Sequence, residues 1–439
     1  MKKKPQKSSK SMNLFDATSI GVGAMIGAGI FALIGIAVDI AGELAYLAFL
    51  IGGIIALFTS YSVAKLSVAF PRKGGRVEFL NKGFGPGMLA GSLNVIMWIG
   101  YIIVTSLYAK AFGEYGVALL GLRESGPWLH VLISSIVIIF LVINFIGASV
   151  VGKSELIIVA VKVIVLLGFG LLGLFTVEAE QFTITKSIDI SNVLLAGGVV
   201  FMSYEGFGLI ANTAEDVKKP RKNLPRALYI SVSLVISIYL LVSIAVIGNL
   251  SITEILSAKE YVLAEAAKPI MGSAGFTIMG AAALFSTASA INATIYGPVH
   301  MIQETSEYGQ VPKFLSGRLL KHESGVALLI SGILILLISN LLDIEAIAET
   351  GSMIFLLIYT TVNIANYRLR KTTNSLSLPI WVGILGTSFC FIFLFYFVAV
   401  KSSITIYVFL TILLVGFLFE YLFLKHIKNE KIRFVHKRE

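Results

Sequence analysis

Long apolar runs alternate with short polar segments along the whole chain of 439 residues. A run of about 20 apolar residues is long enough to cross a bilayer as a helix. Twelve such runs are present, and the third and the eighth are longer than a bilayer requires. They cover residues 14–40, 44–70, 88–121, 128–146, 156–177, 193–212, 227–250, 272–301, 326–342, 344–367, 379–400 and 404–424. The pattern therefore predicts an all-α membrane protein with twelve transmembrane helices.

The composition agrees with a membrane protein. Hydrophobic residues make up 56% of the chain and charged residues only 14%, whereas a soluble domain carries about 25% charge. The one cysteine, Cys390, has no partner for an intrachain disulfide. The apolar run after the lysine-rich start is too long for a signal peptide and has no cleavage site, so we expect no cleaved leader.

The basic residues predict how the helices are oriented, because lysine and arginine concentrate in cytoplasmic loops. With the N-terminus placed in the cytoplasm, 27 of the 35 basic residues fall on the cytoplasmic side and 5 on the outside. The other 3, Lys65, Lys110 and Lys162, lie within the runs. We therefore expect a multi-pass protein of the cell membrane, with residues 1–13 and 425–439 both in the cytoplasm.

One stretch, GASVVGKS, matches the phosphate-binding loop G-x-x-x-x-G-K-[ST] from Gly147 to Ser154. Such a loop needs a short buried strand before it and an amphipathic helix after it. Here the preceding run is too long for a strand, and the following run is apolar on nearly every side. We therefore predict a cytoplasmic turn in which Lys153 supplies positive charge, and no nucleotide binding.

The first apolar run contains four glycines within nine residues, Gly21, Gly23, Gly27 and Gly29. Each glycine weakens a helix by about 1 kcal/mol relative to alanine, and an unwound backbone survives in a membrane only where it is buried or lines a cavity. The free N–H groups of such a break suit a carboxylate and its free carbonyls suit an ammonium, as in an α-amino acid. The spacing of Gly23 and Gly27 equally fits the GxxxG face of paired helices.

The sixth run, VVFMSYEGFGLIANTAED, contains a second interruption, in which Gly206 and Gly208 flank Phe207 and Glu205 lies in mid-span. Each interruption begins a set of five spans, and the second set is inverted because five is odd. Interrupted segments at matching positions of two halves indicate a transport site between them. We therefore predict a ten-helix inverted repeat over residues 14–367, divided into 14–177 and 193–367, with helices 1 and 6 discontinuous. Two accessory helices follow over residues 379–424.

Lys162 lies in the fifth run about nine residues beyond Lys153, which places it roughly 13 Å into a hydrocarbon core about 30 Å thick. Snorkelling explains Lys65, near a helix end, and Lys110, but the stem of Lys162 is too short to reach water. An ionisable group at this depth is functional by default, and a buried lysine can gain and lose a proton. We predict a coupling role for Lys162, with a structural role as the alternative.

Other polar and aromatic residues in the runs leave more than one role open. Glu205 fits a substrate contact, a pH sensor or a helix cap, and Tyr204 and Phe207 fit either a lid over substrate or ordinary packing. Ser286 and Ser289 can bond Lys162 across helices or bond their own backbone. The five histidines form no metal-spaced cluster and no catalytic triad is visible, so we predict no metal, no cofactor and no enzyme.

Three segments, taken in order, are similar to those of a known family. GVGAMIGAGIF in the first run, FMSYEGFGLIANTAEDVKKPRKNLPRAL from the sixth run onward and INATIYG in the eighth resemble the amino acid–polyamine–organocation superfamily. The resemblance is closest to broad-specificity, proton-coupled members of the ApcT type. It extends from about Leu14 to Tyr367, and the last two runs fit by topology only. It implies the five-plus-five inverted-repeat, LeuT-like fold and the transport of amino acids.

The resemblance also implies which residues bind substrate: the backbone of the first break would meet the carboxylate, and carbonyls of the second break would meet the ammonium. The implied residues are Met25, Ile26, Gly27, Ala28, Gly29, Phe201, Ser203, Tyr204, Glu205 and Phe207. In sodium-coupled relatives an ion joins the first and eighth helices, and in proton-coupled members a lysine of the fifth helix replaces it. Lys162 matches that lysine, with the Gly23 carbonyl and the Ser286 hydroxyl as implied partners. Glu205 departs from the family, because an apolar residue is expected there.

We therefore predict a secondary active transporter that moves amino acids into the cell together with protons by alternating access. Its expected partners are a small amino acid, protons instead of sodium, and the lipid bilayer, without nucleic acid. The alternatives are an exchanger of amino acids or polyamines and, less favoured because no soluble domain is visible, a membrane sensor that does not transport. The sequence leaves substrate preference, stoichiometry and oligomeric state open.

Overall fold

The computed structural model describes residues 12–427 apart from 73, 124–125, 147–151, 183–188, 318, 320–323 and 402. Nearly all of the described residues are helical, and ten of their helical stretches are long and apolar enough to cross a membrane. Two shorter apolar helices, Leu14–Met25 and Gly325–Leu341, accompany them. This is the architecture of a multi-pass membrane protein. The count of twelve spans, the inverted repeat and the domain boundaries stay predictions.

The helices are numbered in chain order. They are α1 (Leu14–Met25), α2 (Gly29–Ala41), α3 (Ala45–Ala69), α4 (Arg76–Phe84), α5 (Met88–Leu119), α6 (Trp128–Ile146), α7 (Gly152–Phe175), α8 (Ile190–Val200), α9 (Gly208–Asn212), α10 (Pro220–Asn249), α11 (Ile252–Ala258), α12 (Val262–Glu307), α13 (Gly325–Leu341), α14 (Ile344–Arg368), α15 (Arg370–Thr373), α16 (Ser377–Lys401) and α17 (Ser403–Leu422).

Three of these helices, α4, α11 and α15, lie in segments that the hydrophobic pattern leaves as loops. The long α12 is bent at Gly272, whose φ of 68° is a conformation that glycine adopts without strain. The predicted eighth run begins at this residue, so the turns of α12 before Gly272 extend beyond the predicted span. Residues 147–151 of the phosphate-loop match lie outside the described residues.

The first predicted break separates α1 from α2. The helix α1 ends at Met25, and Ile26 has a ψ of 62°, outside the helical region. Only Ile26, Gly27 and Ala28 separate it from α2. Gly27 is needed for close packing, because a Cβ there would lie 2.8 Å from the Cβ of Ala290 on α12. The glycine-rich run therefore places a short non-helical stretch against a neighbouring helix.

The second predicted break is a change of winding and not an unwound stretch. Between α8 and α9, residues Phe201–Phe207 form a 3-10 helix. The predicted discontinuity of helix 6 therefore takes the form of a 3-10 helix, which keeps its own i to i+3 hydrogen bonds. Seven residues exceed the usual length of such a helix, so tertiary contacts must hold this winding in place.

Several helices carry exposed apolar faces suited to lipid, α13 among them. The helices α6, α7, α16 and α17 expose large side chains such as Ile138, Ile157, Phe389 and Leu414. By contrast, most of α5 and the whole 3-10 segment are buried. Much of α1, α2, α5 and the 3-10 segment is buried, so both breaks lie in the interior of the protein.

The start of the described chain is tied to the segment that follows α9. Met12 and Val217 form a parallel β-bridge, in which the Met12 N–H donates to Asp216 O at 3.1 Å and the Lys218 N–H donates to Met12 O at 2.8 Å. Asn13 and Asp16 then form a capping box that starts α1. The chain just before α1 is thus hydrogen-bonded to the chain just after α9, on the side predicted to face the cytoplasm.

Gly206 predicts a steric test of how the two breaks pack. A Cβ at Gly206 would lie 2.4 Å from backbone atoms of Ala24 and Met25, so Gly206→Ala should push α1 away and destabilise the protein by about 1–3 kcal/mol. Gly168→Ala on α7 is the control, because its Cβ would meet no other described part of the protein within 4 Å. Thermal denaturation of purified protein in detergent measures both variants. Equal melting temperatures for Gly206→Ala and the parent would contradict this packing.

Candidate functional site

The end of α1 is the centre of the site, because its last carbonyls have no helical partner. Side chains from three other helices donate to them. Lys162 Nζ on α7 donates to Gly23 O at 2.5 Å, and the Tyr239 hydroxyl on α10 donates to Met25 O at 2.7 Å. The Ser286 hydroxyl on α12 donates to Ile26 O at 2.7 Å and to Gly27 O at 3.1 Å. The break is therefore held by one ammonium and two hydroxyls.

Lys162 is buried in the protein and does not point to lipid or solvent. Its side chain is 1% exposed, and its ammonium lies against the negative end of the α1 dipole, where a cation is stabilised. The sequence-based prediction placed both Gly23 and Ser286 beside it. The structure brings Ser286 to the same break, with its hydroxyl directed to the carbonyls of Ile26 and Gly27.

The beginning of α2 offers hydrogen-bond donors on the other side of the break. Its N-cap residue, Ala28, makes no side-chain hydrogen bond to the first turn. Residues Met25, Ile26, Gly27, Ala28 and Gly29 are all buried. The first N–H groups of a helix combine free donors with the positive end of its dipole, which is a site for an anion. The two sides of the break thus differ: side chains of other helices donate to carbonyls at the end of α1, whereas the N-cap residue of α2 is an alanine that cannot cap the helix.

Several carbonyls around the 3-10 segment already have side-chain partners. The Tyr239 hydroxyl donates to Ser203 O at 3.3 Å as well as to Met25 O, so a single hydroxyl links the two breaks. The Tyr359 hydroxyl donates to Glu205 O at 3.2 Å. The Tyr204 hydroxyl reaches away from the breaks and donates to Phe49 O on α3 at 2.8 Å. Tyr204 therefore fixes the segment against α3 and is not placed as a lid.

Glu205 has a partner that the sequence analysis did not find, Arg76 at the start of α4. Arg76 Nη1 lies 2.7 Å from Glu205 Oε1, and each side chain is 1% exposed. The Tyr101 hydroxyl donates to the same oxygen at 3.0 Å, and Arg76 Nη1 donates to the Tyr359 hydroxyl at 2.8 Å. A carboxylate in the middle of a span predicts a buried cation nearby. The hydrophobic pattern places Arg76 in a polar loop, so the sequence did not identify it as that cation.

Aromatic rings pack around both breaks. Phe207 stacks on Tyr359 with ring centroids 5.0 Å apart, and Phe201 meets Tyr359 edge to face at 5.8 Å. Beyond the first break, Phe31 packs edge to face on Tyr115, whose hydroxyl donates to Phe31 O at 3.1 Å. Aromatic packing therefore lies beside each of the two breaks, whose residues are buried.

A polar cluster lies at the start of α4 on the side predicted to be cytoplasmic. The Tyr308 hydroxyl donates to Glu78, and Arg72 lies 3.8 Å from the same carboxylate. The Glu78 carboxylate raises the pKa of Arg72. Burial, together with the hydrogen bond to Glu78, raises the pKa of Tyr308. These contacts join the start of α4 to the end of α12 and keep Arg76 in place.

Among the described residues, no group of three or more His, Cys, Asp or Glu is arranged to hold a metal.

Comparison with known proteins identifies the family. A family model described as amino acid permease matches residues 12–419. The chain belongs to the amino acid permease family. The matched residues of this permease include both breaks, Lys162 and the Arg76–Glu205 pair.

Individual relatives agree with this family. An uncharacterized protein of Methanocaldococcus jannaschii is 33% identical to the permease over 359 residues, which cover 82% of each chain. The inner membrane transport protein YbaT of Escherichia coli is 29% identical over 376 residues, 85% of this chain and 86% of its own. The serine/threonine exchanger SteT of Bacillus subtilis is 26% identical over 310 residues, 69% of each chain. The permease is therefore a membrane transporter of amino acids and not an enzyme.

The position of Tyr239 predicts a test of the link between the breaks. Tyr239→Phe removes the hydroxyl that donates to Met25 O and Ser203 O, and leaving these buried carbonyls without a donor should destabilise the permease by about 1–3 kcal/mol. Tyr229→Phe is the control, because Tyr229 lies on the same helix, is half-buried and has no hydrogen bond to the described residues. Thermal denaturation in detergent compares the two. The same melting temperature for both variants would show that the hydroxyl holds neither break.

Proposed function

We propose that the permease takes up amino acids together with protons by alternating access. The observation that carries the proposal is that the two sides of the first break differ in their hydrogen bonding to side chains. The carbonyl end of α1 is closed by side chains, one of them the protonatable Lys162. The buried start of α2 has alanine, Ala28, at its N-cap, so the N-cap side chain leaves the first N–H groups of the helix uncapped. One side of the break is therefore suited to respond to protons and the other to bind a carboxylate.

The substrate carboxylate is proposed to bind at the start of α2. The N–H groups around Gly27, Ala28 and Gly29 form the kind of anion site that a helix N-terminus provides. Glycine at position 29 keeps this site next to the second break, because a Cβ there would lie 2.8 Å from Ser203 Cα. A carboxylate held at α2 would therefore lie beside the 3-10 segment.

The substrate ammonium is proposed to meet carbonyls of the 3-10 segment, of which Phe201, Ser203 and Tyr204 are the candidates. The Tyr239 hydroxyl already occupies Ser203 O in the structure, so an ammonium at Ser203 would share or displace that hydrogen bond. Phe207, stacked on Tyr359, is proposed to line the pocket for the substrate side chain. The site would thus hold the two charged ends of the amino acid on two different breaks.

Lys162 is proposed to couple transport to protons. In its charged form it makes a charge-assisted hydrogen bond to Gly23, which is roughly twice as strong as a neutral one. Losing the proton weakens this bond between α7 and α1, so α1 can then move relative to α7. Because Lys162 binds α1 only where α1 ends against it, protonation and conformation bias each other. This reciprocity is what a symporter needs.

Exchange is the second candidate, because SteT, to which the permease is similar, is named a serine/threonine exchanger. An exchanger needs counter-substrate on the far side and does not accumulate substrate from a pH gradient alone. In that case Lys162 would serve only as a cap for α1.

Substitution of Lys162 separates these two functions. In proteoliposomes with an acidic exterior and no internal amino acid, the parent should accumulate a radiolabelled amino acid mixture. Lys162→Ala should reduce this accumulation by about tenfold or more, since a charged hydrogen bond is worth roughly 1.5–3 kcal/mol, while binding in detergent persists. Lys110→Ala, at a half-buried lysine on α5, is the control and should transport like the parent.

Two results would contradict the coupling role. One is accumulation by Lys162→Ala at the parental level under the same pH gradient. The other is parental uptake that requires internal amino acid and ignores the gradient, which would make the permease an exchanger.

A further inference from the structure

The buried pair of Arg76 and Glu205 is directly connected to the elements of the proposed substrate site. Glu205 belongs to the 3-10 segment, two residues before Phe207. Tyr359 contacts both members of the pair and stacks on Phe207. Arg76 also packs against Gly208, where a Cβ would come within 2.5 Å of the guanidinium. The pair therefore lies at the side of the site where Phe207 is proposed to line the side-chain pocket.

The pair leaves this side of the site without net charge. The guanidinium and the carboxylate are both almost completely buried and 2.7 Å apart, so each is the counter-ion of the other. The guanidinium also lies over the rings of Tyr101 and Tyr359, at 5.2 and 5.4 Å from their centroids. These rings shield the pair from water, so neither charge is available to neutralise a third charge brought in by a substrate.

The pair also offers both donors and an acceptor for further hydrogen bonds. Within the described residues, Arg76 Nε and Nη2 and Glu205 Oε2 are buried and have no hydrogen-bond partner. These are donors on one partner and an acceptor on the other. Such a set suits an uncharged group or a water molecule. A second ion would meet one partner of its own sign, and like charges side by side in a buried site are strongly unfavourable.

We propose that the Arg76–Glu205 pair determines specificity: it keeps the side-chain end of the substrate site electrically neutral, so the permease selects amino acids with uncharged side chains and rejects cationic and acidic ones. This inference rests on the proposed function, which places an amino acid at the two breaks. It assigns Glu205 a role through Arg76 in place of a direct contact with a cationic substrate.

The test measures binding to purified variants in detergent, as the thermal stabilisation that each of the twenty amino acids produces. Glu205→Gln is the decisive variant, because Arg76 cannot lose its proton and remains as an unbalanced cation. It should improve glutamate or aspartate binding relative to neutral amino acids by about tenfold. Arg76→Met should shift the ratio toward lysine and arginine. The double variant, Arg76→Met with Glu205→Gln, is neutral again and should restore the parental ratio.

Glu349→Gln is the matched control, because it removes another buried carboxyl, one whose neighbours are Glu345, Lys401 and Thr405. It should leave the selectivity unchanged. If Arg76→Met does not fold, Glu205→Gln and the double variant still decide the matter. A parental ratio in Glu205→Gln, or lysine binding by the parent as strong as that of neutral amino acids, would overturn the role of the pair. If no amino acid of any charge stabilises the parent, the proposed function itself fails.

Discussion

A helix that ends inside a membrane leaves carbonyls that lipid cannot satisfy, and this constraint organises the centre of the permease. The carbonyls at the end of α1 receive donors from α7, α10 and α12. Each donor is a side chain of a different helix, so the position of the break determines how three helices pack around it. Glycine at positions 27, 29 and 206 allows the neighbouring segments to come close enough for these hydrogen bonds. The packing of the core and the geometry of the site therefore both depend on the break at the end of α1.

The three donors are not equivalent. The hydroxyls of Tyr239 and Ser286 stay neutral, so their hydrogen bonds change only when the helices move. The ammonium of Lys162 is different, because its strength as a donor depends on whether it carries a proton. In the proposed mechanism, the choice of lysine at this one position turns a structural cap into a coupling device. The buried Arg76–Glu205 pair, on the other side of the 3-10 segment, has the opposite character, because its two charges cancel. On this account, protons act at α1 and substrate selection takes place at the 3-10 segment.

The sequence predicted those parts of the site that depend on local chemistry. Four glycines within one apolar run indicated where α1 and α2 separate, and the depth of Lys162 indicated a buried amine. The winding of Phe201–Phe207 could not be predicted, because free chain and a 3-10 helix are both compatible with Gly206 and Gly208, and packing selects between them. The role of Arg76 could not be predicted from the sequence for a different reason. It lies in a polar segment between two spans, and its pairing with a carboxylate 129 positions away arises only when α4 folds back into the core.

Proton movement driven by substrate is the most direct measure of this account. Proteoliposomes with a pH-sensitive dye inside are exposed to a mixture of the twenty amino acids at equal pH on both sides. The account predicts that the interior becomes acidic with the parent protein, and that it does not with Lys162→Gln, although that variant still binds amino acids. Acidification of the same size and rate with Lys162→Gln would show that protons cross without Lys162 and would contradict the central claim.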